Sequence, residues 1–118
     1  AGNEIEKVNR ITAETFAKEV KIGSSKILDV RKLSEYQAEH VEEAYSRPLA
    51  EINNWVKDIN PQEHFYIHCQ AGYRSMIAAS ILQARGYHNF SEVEGGFKAI
   101  ATTALPKTDF MCQSKVSG

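Results

Sequence analysis

The feature that most constrains this chain is a cysteine placed between a predicted strand and a predicted helix. Residues 64–67, His-Phe-Tyr-Ile, form an aromatic and β-branched run that is typical of a buried strand. Residues 75–85 are rich in helix formers and end at Gly86, a residue type favoured just beyond a helix C-terminus. Cys69 therefore lies on a tight turn at a helix N-terminus, where backbone N–H groups and the helix dipole favour an anion such as a thiolate.

The residues of this turn favour a reactive cysteine over a packing one. A cysteine after a buried strand is, taken alone, most simply a small core side chain. Gly72 allows a backbone conformation with positive φ, and Arg74 can offer a fixed fork of N–H donors to an oxyanion. Ser75 can cap the helix and orient a loop group. These residue types at this spacing predict that Cys69 is a nucleophile in an anion-binding loop.

The same turn resembles the active-site loop of single-domain rhodanese-like sulfurtransferases. Residues 69–75, Cys-Gln-Ala-Gly-Tyr-Arg-Ser, carry the most specific part of this resemblance. Further segments resemble the family in the same order along the chain, namely residues 27–31, 35–36, 40–41, 48–49, 86–87 and 93–97. The resemblance spans about residues 8–101.

This resemblance implies a sulfurtransferase in which the Cys69 thiolate takes a sulfane sulfur, becomes a persulfide and passes the sulfur on. It implies a substrate-binding loop made of Gln70, Ala71, Gly72, Tyr73, Arg74 and Ser75. The expected donor is thiosulfate, a polysulfide or a persulfide. The expected acceptor is a thiol or cyanide, with a thioredoxin-like protein as a candidate. No cofactor is expected, because the cysteine itself carries the sulfur.

Strands that alternate with helices along the chain predict an α/β fold. Short connections favour a central parallel sheet flanked by helices on both faces, and the resemblance implies the rhodanese-like version of it. Ligands of such sheets bind beyond the carboxyl ends of the strands. Asp29, near the end of a predicted strand over residues 26–30, should therefore approach Cys69. Asp29 is predicted to support the loop, and Arg31 to line the pocket entrance.

Several helix signals can be read directly from the sequence. Thr12 is the predicted N-cap of a first helix. Ser34, with Gln37 three residues on, has the capping-box spacing and predicts the start of a second. The apolar residues of segment 49–56 fall on one face of a third, which Pro61 ends.

The histidines are predicted to be structural. His40 is expected to be hydrogen-bonded, and His68 should point to the sheet face opposite Cys69, because successive strand side chains alternate. With His64 and His88 they form no ligand motif, so no metal is expected. The expected core aromatics are Trp55, Phe65, Tyr66 and Phe90, whereas the loop residue Tyr73 is expected to contact substrate or a partner.

Composition excludes several classes of partner. The net charge of −1 and the pI of about 6.5 give no basic footprint for nucleic acid or an anionic membrane. No apolar run approaches the roughly 20 residues of a membrane span. The 118 residues predict one domain over 1–118, with a core of about 8–101 and tails at 1–7 and 105–118. Two cysteines are too few for a disulfide scaffold, which favours a reducing, cytoplasmic location, with Cys112 as a bystander in the tail.

The chain departs from the family pattern at three positions. Glu39 and Glu43 stand where rhodanese-like chains usually have glycines, around His40. Ile100 stands near the place of a usual tryptophan. These departures concern turns and packing, so they bear on the connection from 39 to 48 and not on the cysteine loop.

Two other functions stay open from the sequence. One is a cysteine-dependent phosphatase or arsenate reductase on a related fold, and the other is a non-catalytic rhodanese-like regulatory module. Phosphatases that resemble this fold place five residues between cysteine and arginine, whereas four separate Cys69 from Arg74. The tighter loop should suit a single terminal sulfur better than a phosphoryl group. The presence of Cys69 disfavours the regulatory module.

Overall fold

A parallel sheet forms the central layer of the computed structural model, which describes residues 8–108. Its strands are β1 (Arg10–Ile11), β2 (Lys26–Asp29), β4 (Tyr45–Ser46), β5 (Phe65–His68) and β6 (Phe90–Val93). They lie in the order β1-β6-β5-β2-β4, and all neighbouring pairs are parallel. Two further strands, β3 (His40–Val41) and β7 (Lys107–Thr108), form a separate antiparallel pair.

Five α-helices accompany the sheet. They are α1 (Ala13–Glu19), α2 (Leu33–Ala38), α3 (Ile52–Trp55), α4 (Tyr73–Ala84) and α5 (Gly96–Ile100). Among the described residues, no helix is long and apolar enough to cross a membrane. The longest of them, α4, has 12 residues.

Alternation of side chains along the strands divides the core into two layers. On β2, Ile27 packs in one layer with Phe16 of α1 and Phe97 of α5. The next residue, Leu28, packs in the other layer with Leu82 of α4. Because both faces of the sheet are covered, its strands are apolar on both sides, as parallel sheets usually are. The predicted α/β architecture is confirmed.

Of the first two predicted helix starts, the structure confirms that of α1 but not that of α2. Thr12 caps α1 as predicted, since its Oγ1 accepts a hydrogen bond from Thr15 N at 3.1 Å. The predicted start of α2 at Ser34 is wrong, because α2 begins directly after Lys32. The carboxylate of Glu35 reaches back to accept from Lys32 N at 3.0 Å, which satisfies a backbone donor two residues earlier than expected.

The predicted third helix is interrupted. A 3₁₀ turn (Leu49–Glu51) precedes α3, and another (Val56–Asp58) follows it. The indole Nε1 of Trp55 donates to the Pro48 carbonyl at 2.8 Å, which ties the segment to its own beginning. The four predicted core aromatics are all buried, as expected: Trp55, Phe65, Tyr66 and Phe90.

The connection from 39 to 48 shows which backbone conformations the two glutamates adopt. Glu39 has φ of −172°, an extended conformation that any residue adopts. Glu43 has φ of 72°, which is the left-handed region. Backbone conformation therefore explains why the family usually has a glycine at position 43, but it does not explain the glycine at position 39. Ile100 is fully buried in the core layer that contains residues of α1 and α5. An apolar side chain therefore fills the position where the family usually has a tryptophan.

We expect Glu43→Gly to be about 1 kcal/mol more stable than Glu43→Ala. Both changes remove the same carboxylate, and only alanine keeps a Cβ in the left-handed conformation. Urea unfolding measures the difference. The same pair at Glu39 is the control, where alanine should be at least as stable as glycine. Equal stability of the two position-43 variants would contradict the assignment of strain to Glu43.

Candidate active site

Cys69 lies immediately beyond the carboxyl end of β5, in the loop that leads into α4. The loop ends at Gly72, which has φ of 100° and occupies the N-cap position of α4. A methyl group at Gly72 would lie 3.3 Å from Gly95 N, and the left-handed backbone favours glycine independently of that contact. The Cys69 side chain is buried, with 1% of its surface exposed. The strand and the loop therefore occur where the sequence predicts them, whereas α4 begins at Tyr73, two residues before the predicted start at Ser75.

Two groups contact the sulfur of Cys69. The backbone N–H of Gly72 donates to Cys69 Sγ at 3.1 Å, and the sulfur lies 3.5 Å from Ser75 Oγ. Ser75 is inside α4 and is fully buried. Its predicted role as the helix cap is wrong, because the chain enters α4 at Gly72 and carries Ser75 into the first turn. Its hydroxyl instead donates to the carboxylate of Glu92.

Helix α5 holds the loop backbone from the other side. Phe97 N donates to Cys69 O at 2.6 Å, and Lys98 N donates to Gln70 O at 2.9 Å. Gly96 permits this approach, since a Cβ there would lie 2.6 Å from the Gln70 carbonyl carbon and 2.7 Å from its oxygen. The first amides of α5, which have no partner within their own helix, thereby fix two loop carbonyls.

Asp29 is connected to the loop through Arg31. The Asp29 carboxylate accepts from Arg31 N at 3.0 Å and from the guanidinium at 2.8–3.2 Å. Arg31 Nη1 then donates to Gln70 Oε1 at 3.1 Å, and its guanidinium carbon lies 4.4 Å from the centre of the Phe97 ring. The predicted place of Arg31 at a pocket entrance does not match a side chain that is 4% exposed. The buried Arg31 side chain therefore connects β2 to the loop.

Arg74 pairs with a partner that the sequence analysis did not include. Its two terminal nitrogens donate to the two carboxylate oxygens of Glu35 on α2, at 2.7 and 3.1 Å. The hydrogen bond from Arg74 is the main reason that the pKa of Glu35 falls to about 2, and the same bond raises the pKa of Arg74. Of the remaining predicted loop residues, Ala71 is exposed and Tyr73 is 77% exposed.

Glu92 and Arg10 are site residues that sequence reasoning missed. Glu92, on β6, is fully buried, and its carboxylate accepts from Ser75 and from Arg10 Nε, the latter at 2.6 Å. The carboxylate between Phe90 and Val93 in the sequence was the available signal, because a charge that is buried beside apolar residues requires partners. Arg10, on the edge strand β1, had no signal of its own.

The histidines have the structural contacts that were predicted. His68 Nδ1 donates to Cys69 O at 3.1 Å, and its ring stacks on Phe97, across the sheet from the Cys69 layer. Burial lowers the pKa of His68. His40 stacks on Tyr36 and donates from Nδ1 to the Tyr36 carbonyl at 2.6 Å. Over residues 8–108 there is no group of three side chains suited to a metal ion.

A sequence profile of the Rhodanese-like domain family matches residues 12–103. The chain belongs to the rhodanese-like domain family. The match contains β2, the cysteine loop, α4, β6 and α5, whereas β1 with Arg10 lies just before it. Cys112 and the end of the predicted tail lie outside the described residues, so the prediction for that cysteine has no structural counterpart.

Related proteins of this rhodanese-like domain include sulfur-handling proteins. "Thiosulfate sulfurtransferase PspE" of Escherichia coli (strain K12) is 37% identical over 82 residues, which are 68% of this chain and 75% of that protein. "Putative sulfur carrier protein YrkF" of Bacillus subtilis (strain 168) is 30% identical over 92 residues, 77% of this chain. The chain spans 50% of that carrier and 29% of a chloroplast rhodanese-like/PpiC domain protein of Arabidopsis thaliana, so it covers under two thirds of several relatives.

Solved rhodanese-like structures share the architecture. A rhodanese-like domain protein from Staphylococcus aureus has a TM-score of 0.73 at 28% identity, over 84% of this chain and 97% of that one. The rhodanese-like domain of the Anabaena protein Alr3790 has a TM-score of 0.76 at 18% identity, over 95% and 88% of the two chains. The second similarity concerns the fold alone.

The Arg74–Glu35 pair predicts a pH-dependent contribution to the stability of this rhodanese-like domain. The folded-state pKa of Glu35, about 2, lies below the ordinary 4.5, so the stabilisation is complete above about pH 4.5 and is lost as the pH falls towards 2. We expect Glu35→Gln to cost about 1 kcal/mol at pH 7, because both side chains are partly exposed, and almost nothing at pH 2.

Urea unfolding of both proteins between pH 7 and pH 2 measures this difference. Glu63→Gln is the matched control, because the Lys26–Glu63 pair is longer, at 3.5 Å, and more exposed. A Glu35→Gln difference that stays constant over the whole pH range would contradict the assignment.

Proposed function

We propose that this protein is a sulfurtransferase that carries sulfane sulfur as a persulfide on Cys69. The observation that carries the proposal is the N–H of Gly72 pointing at Cys69 Sγ from the turn before a helix. A donor in this position stabilises a sulfur anion, and the helix dipole adds to the effect. The two sulfur-handling relatives support the same chemistry.

The reaction divides into two displacements at sulfur. The Cys69 thiolate attacks the terminal sulfur of thiosulfate, a new S–S bond forms, and sulfite leaves with the electron pair of the broken bond. A cyanide ion or a thiolate then attacks the outer sulfur of the persulfide. Thiocyanate or a new persulfide is released, and the Cys69 thiolate is regenerated. Covalent catalysis of this kind replaces one difficult transfer by two easier ones.

The partners of this reaction are small molecules or proteins with a reactive sulfur. The donor is thiosulfate, a polysulfide or a persulfide, and the acceptor is cyanide, a small thiol or a thioredoxin-like protein. A cycle that needs a free thiolate suits a reducing compartment, and we propose the cytoplasm. We also propose that residues 8–101 form the single domain that performs it.

Incubation with thiosulfate should add one sulfur atom to the protein, reversibly on reduction, and the added mass should lie on the peptide that holds Cys69. Cys69→Ser should remove the gain, and Cys112→Ser, the matched control, should keep it. Cyanide should then release thiocyanate in proportion to the added sulfur. A gain that persists in Cys69→Ser would contradict the proposed carrier.

The same preparations separate sulfur transfer from phosphate chemistry. Four residues separate Cys69 from Arg74, and both terminal nitrogens of Arg74 are hydrogen-bonded to Glu35. We therefore expect no Cys69-dependent hydrolysis of para-nitrophenyl phosphate and no arsenate reduction. Phosphate release that exceeds sulfur transfer and disappears in Cys69→Ser would favour the phosphatase instead.

A further inference from the structure

Arg10 borders the cysteine loop although it belongs to the edge strand of the sheet. A methyl group at Gly72 would lie 3.5 Å from Arg10 Nη2, which places the guanidinium against the turn whose N–H faces Cys69. The Arg10 side chain is 38% exposed, so a solute can reach it. Cys69 and Arg10 therefore flank the same residue, one inside the protein and the other at its surface.

The three arginines around the loop differ in the donors that they have left. Arg74 gives both terminal nitrogens to Glu35. Arg31 is buried, and its side-chain nitrogens bond to Asp29, Gln70 and Glu39 O. Arg10 uses its Nε on Glu92, and within residues 8–108 neither of its terminal nitrogens has an acceptor. A guanidinium has five N–H donors, so Arg10 retains four for a ligand, all on its terminal nitrogens, whereas Arg74 retains three and has both terminal nitrogens tied to a carboxylate.

Glu92 holds Arg10 in place. The carboxylate is fully buried and bonds at its other oxygen to Ser75, so it anchors the guanidinium to the same residue that contacts Cys69. The pKa of Arg10 is raised mainly by this hydrogen bond, with smaller attractions from the charges of Glu92, Glu94 and Cys69. The guanidinium is therefore held in one orientation, and its charge interacts with that of the Cys69 sulfur.

We propose that Arg10 binds the anionic end of the sulfur donor and that Glu92 is its positioning residue. This inference rests on the proposed sulfur transfer and assigns the residues that receive the anionic end of the donor. The donor is a sulfane sulfur attached to a sulfonate-type anion, as in thiosulfate and the thiosulfonates. Its oxygens accept from the free Arg10 nitrogens while its terminal sulfur meets Cys69. Arg74, the loop arginine, instead fixes α2 against the loop.

Binding is measured first with the unreactive Cys69→Ser protein. Titration calorimetry with thiosulfate should show a dissociation constant that rises about tenfold when Arg10→Gln is added, the size expected for one partly exposed charge-assisted contact. Arg10→Lys should recover part of the loss, because it keeps the charge. Arg74→Gln, the matched control, should change the constant less than Arg10→Gln. An unchanged constant in Arg10→Gln, or a larger loss in Arg74→Gln, would overturn the proposal.

Kinetics with two donors then separates charge recognition from a general loss of reactivity. Thiosulfate is a dianion and methanethiosulfonate a monoanion, and each leaves as a sulfite or sulfinate after sulfur transfer. Arg10→Gln should lower kcat/KM for thiosulfate more than for methanethiosulfonate, mainly through KM. Equal losses for both donors would overturn the recognition of donor charge by Arg10. Wild-type protein that transfers sulfur from neither donor would instead contradict the proposed function, while the binding titration would still decide the role of Arg10.

Discussion

The hydrogen bonds between α5 and the carbonyls of Cys69 and Gln70 are the contact on which the site depends. These hydrogen bonds direct the two loop carbonyls towards α5. The backbone N–H of Gly72, the third residue after Cys69, points at the sulfur. Gly96 makes the contact possible because no side chain fits between the helix and the loop. The sheet supplies the second constraint, since β5 and β6 are direct neighbours and bring the elements after them together.

Three ion pairs lie around the loop in different parts of the fold. Arg31–Asp29 lies at the end of β2, Arg74–Glu35 joins α4 to α2, and Arg10–Glu92 joins β1 to β6. The first is buried, and removing one partner of such a pair leaves an uncompensated charge. The last is open to solvent on the arginine side. This difference in exposure is the physical basis for treating Arg31 as structural and Arg10 as a ligand for the donor.

Local pattern was sufficient to predict the strand, the turn and the helix around Cys69, because all three are encoded within residues 64–86. The alternation of strands and helices extended this to the parallel sheet, and the family resemblance to the rhodanese-like version of it. Long-range partners could not be predicted in this way. Glu92 and Arg10 meet because β1 and β6 are adjacent, although 82 residues separate them in sequence.

Competing local interactions explain the errors. Ser75 was expected at the cap, yet the left-handed turn at Gly72 starts the helix earlier and turns the hydroxyl towards Glu92. Arg31 was expected at an entrance, and the nearby carboxylate of Asp29 folds it inward. In both cases a carboxylate decides the side-chain direction; Glu92 is 17 residues from Ser75 in sequence, whereas Asp29 is only two residues from Arg31.

The central claim is that α5 gives the cysteine loop its reactive geometry, and Gly96→Ala tests it most directly. Gly23→Ala is the control, since Gly23 also has positive φ but no atom lies within 4 Å of the added Cβ. The rate of sulfur uptake by Cys69 from thiosulfate is measured at a temperature where circular dichroism shows both variants folded. The account predicts a large loss of rate in Gly96→Ala and a rate close to wild type in Gly23→Ala. Equal rates in the two folded variants would contradict it.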